Sequence, residues 1–148
     1  TALEPAEVLV RVEFETPPAD TLLGAYKVSK RRELDISAVC AAMAVRLAVD
    51  GTVAQARIAY GGMAATPARA TNAEAALVGA LWSRDTIVRA AEALGTDFTP
   101  MDDHRGSAWY RSEVAANLLL AFYEETRTAP YVHLPDRPVC TAIVEAQP

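Results

Sequence analysis

The stretch DISAVCAAMAVRLAV (35–49), followed by Asp50-Gly51 and TVAQARIAYGGM (52–63), decides the fold. In its first part Ile36, Ala38, Cys40, Ala42, Ala44, Arg46 and Ala48 share one parity, while Val39, Met43, Val45, Leu47 and Val49 lie on or near the other. Alanine richness alone would permit a helix. The β-branched residues and the Asp-Gly turn favour a strand, because branched side chains fit a pleated surface and Asp-Gly reverses the chain tightly. Thr52 to Met63 reads as the returning strand, with Val53, Ala56, Ile58 and Tyr60 as its apolar content and Gly61-Gly62 at its end. The pair predicts an antiparallel hairpin.

Beyond the hairpin the pattern turns helical. Thr71 or Asn72 is placed to cap a short helix carrying Ala73, Leu77, Ala80 and Leu81 at spacings of three and four. Ser83 caps a second, with Asp85 in its first turn, a stripe of Ile87, Val88, Ala91 and Leu94, and Gly95 as its stop. A long helix is expected from Ser107 to Arg127, with Tyr110, Val114, Asn117, Leu118, Ala121, Phe122 and Glu125 along one side. Strands followed by helices predict an α+β fold, an antiparallel sheet of three to four strands packed against about three helices on one face. Pro130, Pro135 and Pro138 give residues 129–148 the character of an extended tail, with a short strand over Val139–Val144.

On the N-terminal side, EVLVRVEFE (7–15) alternates at Val8, Val10, Val12 and Phe14, a strand with one buried face, and stops at Thr16-Pro17-Pro18. Residues 1–20 therefore read as a strand and linker that left a larger structure, 21–128 as the domain proper and 129–148 as the tail. A complete small protein whose first strand pairs with a later one is the alternative. The sequence opens Thr1-Ala2-Leu3, without the basic, apolar, small-residue order of a signal peptide.

Composition narrows the function classes. The 148 residues are 51% hydrophobic and 22% charged, which suits a packed cytosolic domain. Fourteen basic against nineteen acidic residues leave a net charge of −5, so a general nucleic-acid surface is not expected. The longest mostly apolar stretch, Ile36 to Val49, is broken by Arg46 and falls short of the roughly 20 residues that span a bilayer, so no membrane partner is expected. Cys40 and Cys140 form no metal or redox motif, and Cys40 reads as a small buried hydrophobe. Gly61-Gly62 lacks the spacing of a phosphate loop and suits a strand end. His104 and His133 have no ligand-spaced partners, and no serine sits in a nucleophile motif, so neither a metal nor a catalytic residue is assigned.

Two segments stand out. Lys27, Lys30, Arg31 and Arg32 place four positive charges within six positions of an acidic chain, which raises the local potential for a phosphate or an electron-rich ring. Asp102-Asp103-His104-Arg105-Gly106-Ser107 precedes the long helix, where acids meet exposed amides, Ser107 is a candidate cap, and Arg105 and Arg111 tie the loop to the body. The second segment reads as structural, and a solvated loop is the plain reading of the first.

Taken together, YKVSKRRELDIS (26–37), ARIAYGGMAATPARA (56–70) and DFTPMDDHRGSAWYR (97–111) resemble the C-terminal domain of the flavin-binding part of molybdenum hydroxylases. The likeness covers roughly residues 5–127. The Tyr-Lys-x-Ser-Lys-Arg-x-x-x-Asp-Ile-Ser run is more similar to the small subunit of bacterial xanthine dehydrogenases than to the carbon monoxide dehydrogenase flavoprotein. The resemblance implies that residues 1–20 close an upstream FAD-binding domain, which holds most of the cofactor, and that this domain covers the flavin. It implies Lys27 as the residue approaching the flavin ring, where a cation stabilises negative charge on the reduced form, with Arg31 and Arg32 positioning the loop or adding to the potential felt by NAD. It implies partners: the FAD-binding domain and a molybdenum subunit, with molybdopterin and 2Fe–2S clusters held elsewhere in a xanthine-oxidising enzyme. Leu34 departs from relatives that carry an acid or amide at that position, so no electrostatic role follows for it. Alone, the chain is expected to be inactive and to bind FAD weakly, with homodimerisation through surface that meets the flavin domain. A non-enzymatic dimerisation or partner-binding module is the competing reading.

Overall fold

The computed structural model describes residues 3–13, 15–31 and 35–128. Its strands are β1 (Thr21–Val28), β2 (Val39–Leu47), β3 (Val53–Gly61) and the two-residue β4 (Ala68–Arg69); its helices are α1 (Thr71–Leu77), α2 (Arg84–Asp97) and α3 (Ala108–Thr126). The strands form one antiparallel sheet in the order β1-β2-β3-β4. α3 lies across β1 and β2, α1 packs on β3, and α2 packs on both helices. The expected α+β arrangement is present.

The hairpin forms where the Asp-Gly turn puts it. Gly51 takes a φ of +81°, and the Asp50 carboxylate accepts from the Thr52 backbone N–H (3.0 Å) and hydroxyl (2.6 Å), which closes the reversal. Arg46 pairs with Gln55 but Leu47 with Val53, so the register shifts at Ala54. That irregularity rephases β3 and lets Val53 point inward along with Ala56, Ile58 and Tyr60, although strict alternation forbids it. Against them lie Leu22 of β1 and Val39, Ala41, Met43 and Val45 of β2, which complete the inner face.

β1 is an addition to the sequence reading, and its cause is Gly24. A Cβ there would lie 2.7 Å from Phe122 Cδ2, so the phenyl of α3 fills the place where alternation calls for an apolar side chain. β4 is likewise too short to show a period. The strand expected over Glu7–Glu15 is not found at residues 7–13, where Val8, Val10 and Val12 are 78%, 93% and 70% exposed. Alternation supplies a face, but a strand also needs an edge to pair with, and none is offered among the described residues.

Three helix details differ from the sequence reading. α1 is capped by neither Thr71 nor Asn72; the Asp97 carboxylate, at the far end of α2, accepts from the N–H groups of Asn72 (2.8 Å) and Ala73 (3.0 Å). α1 stops at Leu77 because Gly79 N–H bonds to Val53 O (2.9 Å) and Ala80 O accepts from Val53 N–H (2.8 Å), which draws Ala80 and Leu81 to the sheet. Gly95 does not end α2, which continues to Asp97, the residue held by α1. Ser83 and Ser107 do cap their helices, accepting from Thr86 and Tyr110 N–H. On α3 the buried row is Arg111, Ala115, Leu119, Phe122 and Thr126, one position round from the expected stripe, because the row starts with an arginine. The extended tail at 129–148 and its strand at 139–144 lie outside the described residues.

Candidate functional site

The N-cap loop of α3, the start of β2 and the end of β3 meet through one buried guanidinium. Arg111 is only 3% exposed, and all three of its guanidinium nitrogens donate hydrogen bonds. Its Nη1 donates to the carbonyls of Ala38, just before β2, and Gly62 (2.8 Å), just after β3. Its Nη2 donates to Asp103 Oδ1 (2.7 Å), and Nε reaches Gly106 O at 3.4 Å. Gly62 has a φ of +82°, and a Cβ there would lie 2.2 Å from Ala38 O, so glycine permits the approach of the two carbonyls. Asp103 also accepts from the N–H groups of Arg105 (2.7 Å) and Gly106 (3.2 Å). Those backbone donors, the Arg105 N–H foremost, together with Arg111 hold its carboxyl down at about 2, against the opposing effect of desolvation. Asp102 accepts from Ala108 N–H (2.7 Å) and satisfies a further amide of the helix start.

This anchored loop forms one wall of a cleft of about 380 Å³, lined by Lys30, Arg31, Asp35, Ile36, His104 and Arg105. Lys30 Nζ donates to His104 O at 2.6 Å and bridges the two walls. Arg31 pairs with Asp35 at 3.5 Å, and Asp35 also accepts from Arg31 N–H; the Arg31 side chain, followed by that backbone bond, holds the Asp35 carboxyl below its ordinary range. The two segments singled out in the sequence are thus joined, although the second reads there as purely structural. His104 and Arg105 enter the cleft across 74 positions, a proximity without local periodicity to reveal it.

Lys27 is held elsewhere. It lies on β1 opposite Cys40, on the sheet face away from the helices, and is exposed. Cys40 is half-buried on that face rather than fully buried, and its Sγ fills the space over Gly61, where a Cβ would stand 2.6 Å away. Next to Lys27 in sequence, Tyr26 turns to the helix side and donates its hydroxyl to Glu125 Oε2 of α3 at 2.6 Å. Burial first, and the Glu125 carboxylate second, push the Tyr26 phenol above its ordinary range, so it remains a donor. Of the three residues expected at a cofactor, Lys27 and Arg31 therefore occupy two different surfaces, the open face and the cleft; Arg32, like Leu34, lies outside the described residues. Among the described residues no group of His, Cys, Asp or Glu could hold a metal ion. No helix among them is long and apolar enough to cross a membrane.

The architecture defines a class: a two-layer α+β domain with one sheet face left open by the described residues and a cleft rimmed by basic side chains. Residues 24–126 match the family model described as CO dehydrogenase flavoprotein C-terminal domain, and the chain belongs to that family. It is 31% identical over 113 residues to the glyceraldehyde dehydrogenase medium chain of Sulfolobus acidocaldarius, covering 76% of this chain and 40% of that one. It is 34% identical over 128 residues to the xanthine dehydrogenase of Emericella nidulans, covering 84% of this chain and 9% of that protein. The carbon monoxide dehydrogenase of Hydrogenophaga pseudoflava lacking the Mo-pyranopterin moiety superposes with a TM-score of 0.64 at 31% identity, over 69% of this chain and 35% of that one. The chain thus spans less than half the length of these relatives, and it is a flavoprotein domain of the molybdenum hydroxylase type, from an oxidoreductase family.

Proposed function

We propose that this domain covers the FAD of a xanthine dehydrogenase and tunes its potential while electrons pass from molybdenum and 2Fe–2S centres to NAD. The single observation behind this reading is the placement of Lys27, a cation in no ion pair among the described residues, at the end of a largely apolar sheet face and three positions before Lys30, which rims a cleft with Arg31 and Arg105, in a chain of net charge −5. The face fits a planar cofactor as one wall: Ala25, Ala42 and Ala59 are aligned across three strands, and those strands carry no acid.

When bound, FAD supplies the redox chemistry between the substrate-oxidising centre and the acceptor. Lys27 would supply positive charge to stabilise the reduced ring, and the apolar floor would exclude water from it. Tyr26, through Glu125, fixes the strand from which Lys27 projects. Arg31 holds the loop through Asp35, and the positive charge of Arg31 and Arg32 adds to the potential felt by NAD. Within the family, the choice of xanthine and purine oxidation rests on the Tyr-Lys-x-Ser-Lys-Arg run and the likeness to the Emericella nidulans enzyme. The molybdenum subunit and the FAD-binding domain are the partners, and the cytoplasm is the compartment.

The test is Lys27→Met in the flavin-loaded, full-length enzyme. Loss of the cation lowers the flavin midpoint potential by roughly 30 mV, equivalent to about 1.4 kcal/mol for a two-electron couple. An unchanged potential and FAD affinity would remove Lys27 from the site. Xanthine turnover with NAD, measured in the same preparation, tests the substrate and acceptor.

A further inference from the structure

The cleft between the loop after β1 and the loop before α3 is not balanced in charge. Lys30, Arg31 and Arg105 line it against a single carboxylate, Asp35, so three cations less one anion leave two positive charges over. Behind the wall Arg111 and Asp103 offset each other, and Asp102 accepts from the Ala108 N–H without lining the cleft. Lys30 Nζ donates to the His104 carbonyl and stands in no ion pair among the described residues. An ammonium has three donors, so two remain for another acceptor. The Arg105 side chain is 30% exposed, its ion pair with Asp103 Oδ2 is 3.8 Å long, and its guanidinium makes no hydrogen bond among the described residues. Half-buried donors left in this state take their acceptor from outside the protein.

We propose that this cleft binds a phosphate-bearing ligand, held by Lys30 and Arg31 on one wall and Arg105 on the other. The site goes beyond the flavin reading and depends on neither FAD nor Lys27. A phosphate or diphosphate carries the two or more negative charges that the lining leaves unmatched. Guanidinium forks meet pairs of its oxygens, and the lysine adds a mobile point charge. Walls of one sign raise the local concentration of such an anion even on an acidic chain. A volume of about 380 Å³ has the size of a small-molecule site, roughly 300–1,000 Å³. Ile36, 65% exposed, is the apolar part of the lining and gives an organic portion of the ligand a surface to rest on. Both walls are also set in advance. Arg111 ties the Arg105 loop to the carbonyls of Ala38 and Gly62, while Asp35 and the Ser29 hydroxyl hold the backbone of Arg31. Walls already ordered lose little freedom when the anion arrives.

Two sources share this chemistry, a free phosphate ion and the diphosphate of a nucleotide such as the NAD proposed above as acceptor. The isotopically labelled 148-residue chain is titrated with sodium phosphate, sodium pyrophosphate and NAD at constant ionic strength, and the amide resonances of Lys30, Arg31, His104 and Arg105 are followed. Saturable shifts centred on these amides are expected with pyrophosphate. Lys30→Gln and Arg105→Gln each weaken its binding by about tenfold, as for the loss of a charged hydrogen-bond donor, and Arg105→Lys recovers part of it. Arg46→Gln removes the same charge at the other end of the sheet, where Arg46 pairs with Thr21, and leaves the affinity unchanged. Retained spectral dispersion shows that each variant is folded. Absence of saturable shifts with pyrophosphate would overturn the site, and so would equal weakening by Arg46→Gln, which would mean attraction to net charge alone. Tighter binding of a glutamate-rich peptide at these amides would assign the cleft to an acidic protein and overturn it as well. Competition between NAD and pyrophosphate makes the nucleotide the source. Pyrophosphate binding untouched by NAD upholds the site and removes NAD from it, whereas NAD binding untouched by pyrophosphate leaves the acceptor reading standing and overturns the phosphate site.

Discussion

The two sides of one sheet treat positive charge in opposite ways. On the helix side Arg111 is buried, and carbonyls and Asp103 surround its guanidinium. On the bare side Arg46, Arg57 and Lys27 stand among alanines without a carboxylate in reach among the described residues. A buried charge is tolerated only when its donors are satisfied, so Arg111 acts as a structural staple between β2, β3 and the loop before α3. An exposed charge costs little to leave unpaired, so the outer cations are free for another surface or ligand. Burial separates the structural cation from the exposed ones here; residue type does not.

The comparison is broken most strongly at the staple. Arg111→Ala removes the cation paired with Asp103 and the donor to three carbonyls, and is expected to cost about 3–5 kcal/mol, read as a lower denaturation midpoint. A loss comparable to that of a surface arginine would mean the network contributes nothing. The pH dependence of the same network has a definite sign. The Asp103 carboxyl is held at about 2 in the folded state, below its unfolded value, so its contribution is fully present above about pH 4 and fades as pH falls toward 2. Denaturation curves between pH 5 and pH 2 should therefore slope less steeply in Asp103→Asn than in the parent.

Smaller effects sharpen the contrast. Gly24→Val puts a side chain where the Phe122 ring lies, and overpacking of this kind costs about 1–3 kcal/mol. A neutral result by chemical denaturation would show that α3 shifts freely over β1. Arg57→Gln, on the bare face, should change stability by no more than about 0.5 kcal/mol in the isolated chain. A larger loss would place Arg57 in the scaffold rather than the site.

The hairpin was legible because its information is local: an Asp-Gly turn between two apolar runs, with Asp50 closing on Thr52. The caps at Ser83 and Ser107 were legible for the same reason, each side chain bonding an amide three residues on. The buried row of α3 was displaced by one position because it begins at Arg111, and a hydropathy pattern discounts a charge that distant carbonyls make acceptable. Gly24 hid β1 in the same manner, its missing side chain being supplied by Phe122 from the other end of the domain. Alternation at Val8, Val10 and Val12 misled in the opposite direction, since a period describes a face and not a partner.

Charge density singled out Lys27, Lys30, Arg31 and Arg32 together, and only the family resemblance chose Lys27, Arg31 and Arg32 among them. It did not reveal that Lys27 would stand on the open face while Lys30 and Arg31 would turn into a cleft with His104 and Arg105. What the sequence determined by itself was the fold class, the hairpin, two helix caps and the basic segment, all set by residues within a few positions of one another. Only the tertiary structure decided which face would be covered, which arginine would be buried and which loops would meet, because those outcomes depend on hydrogen bonds and packing between residues far apart along the chain.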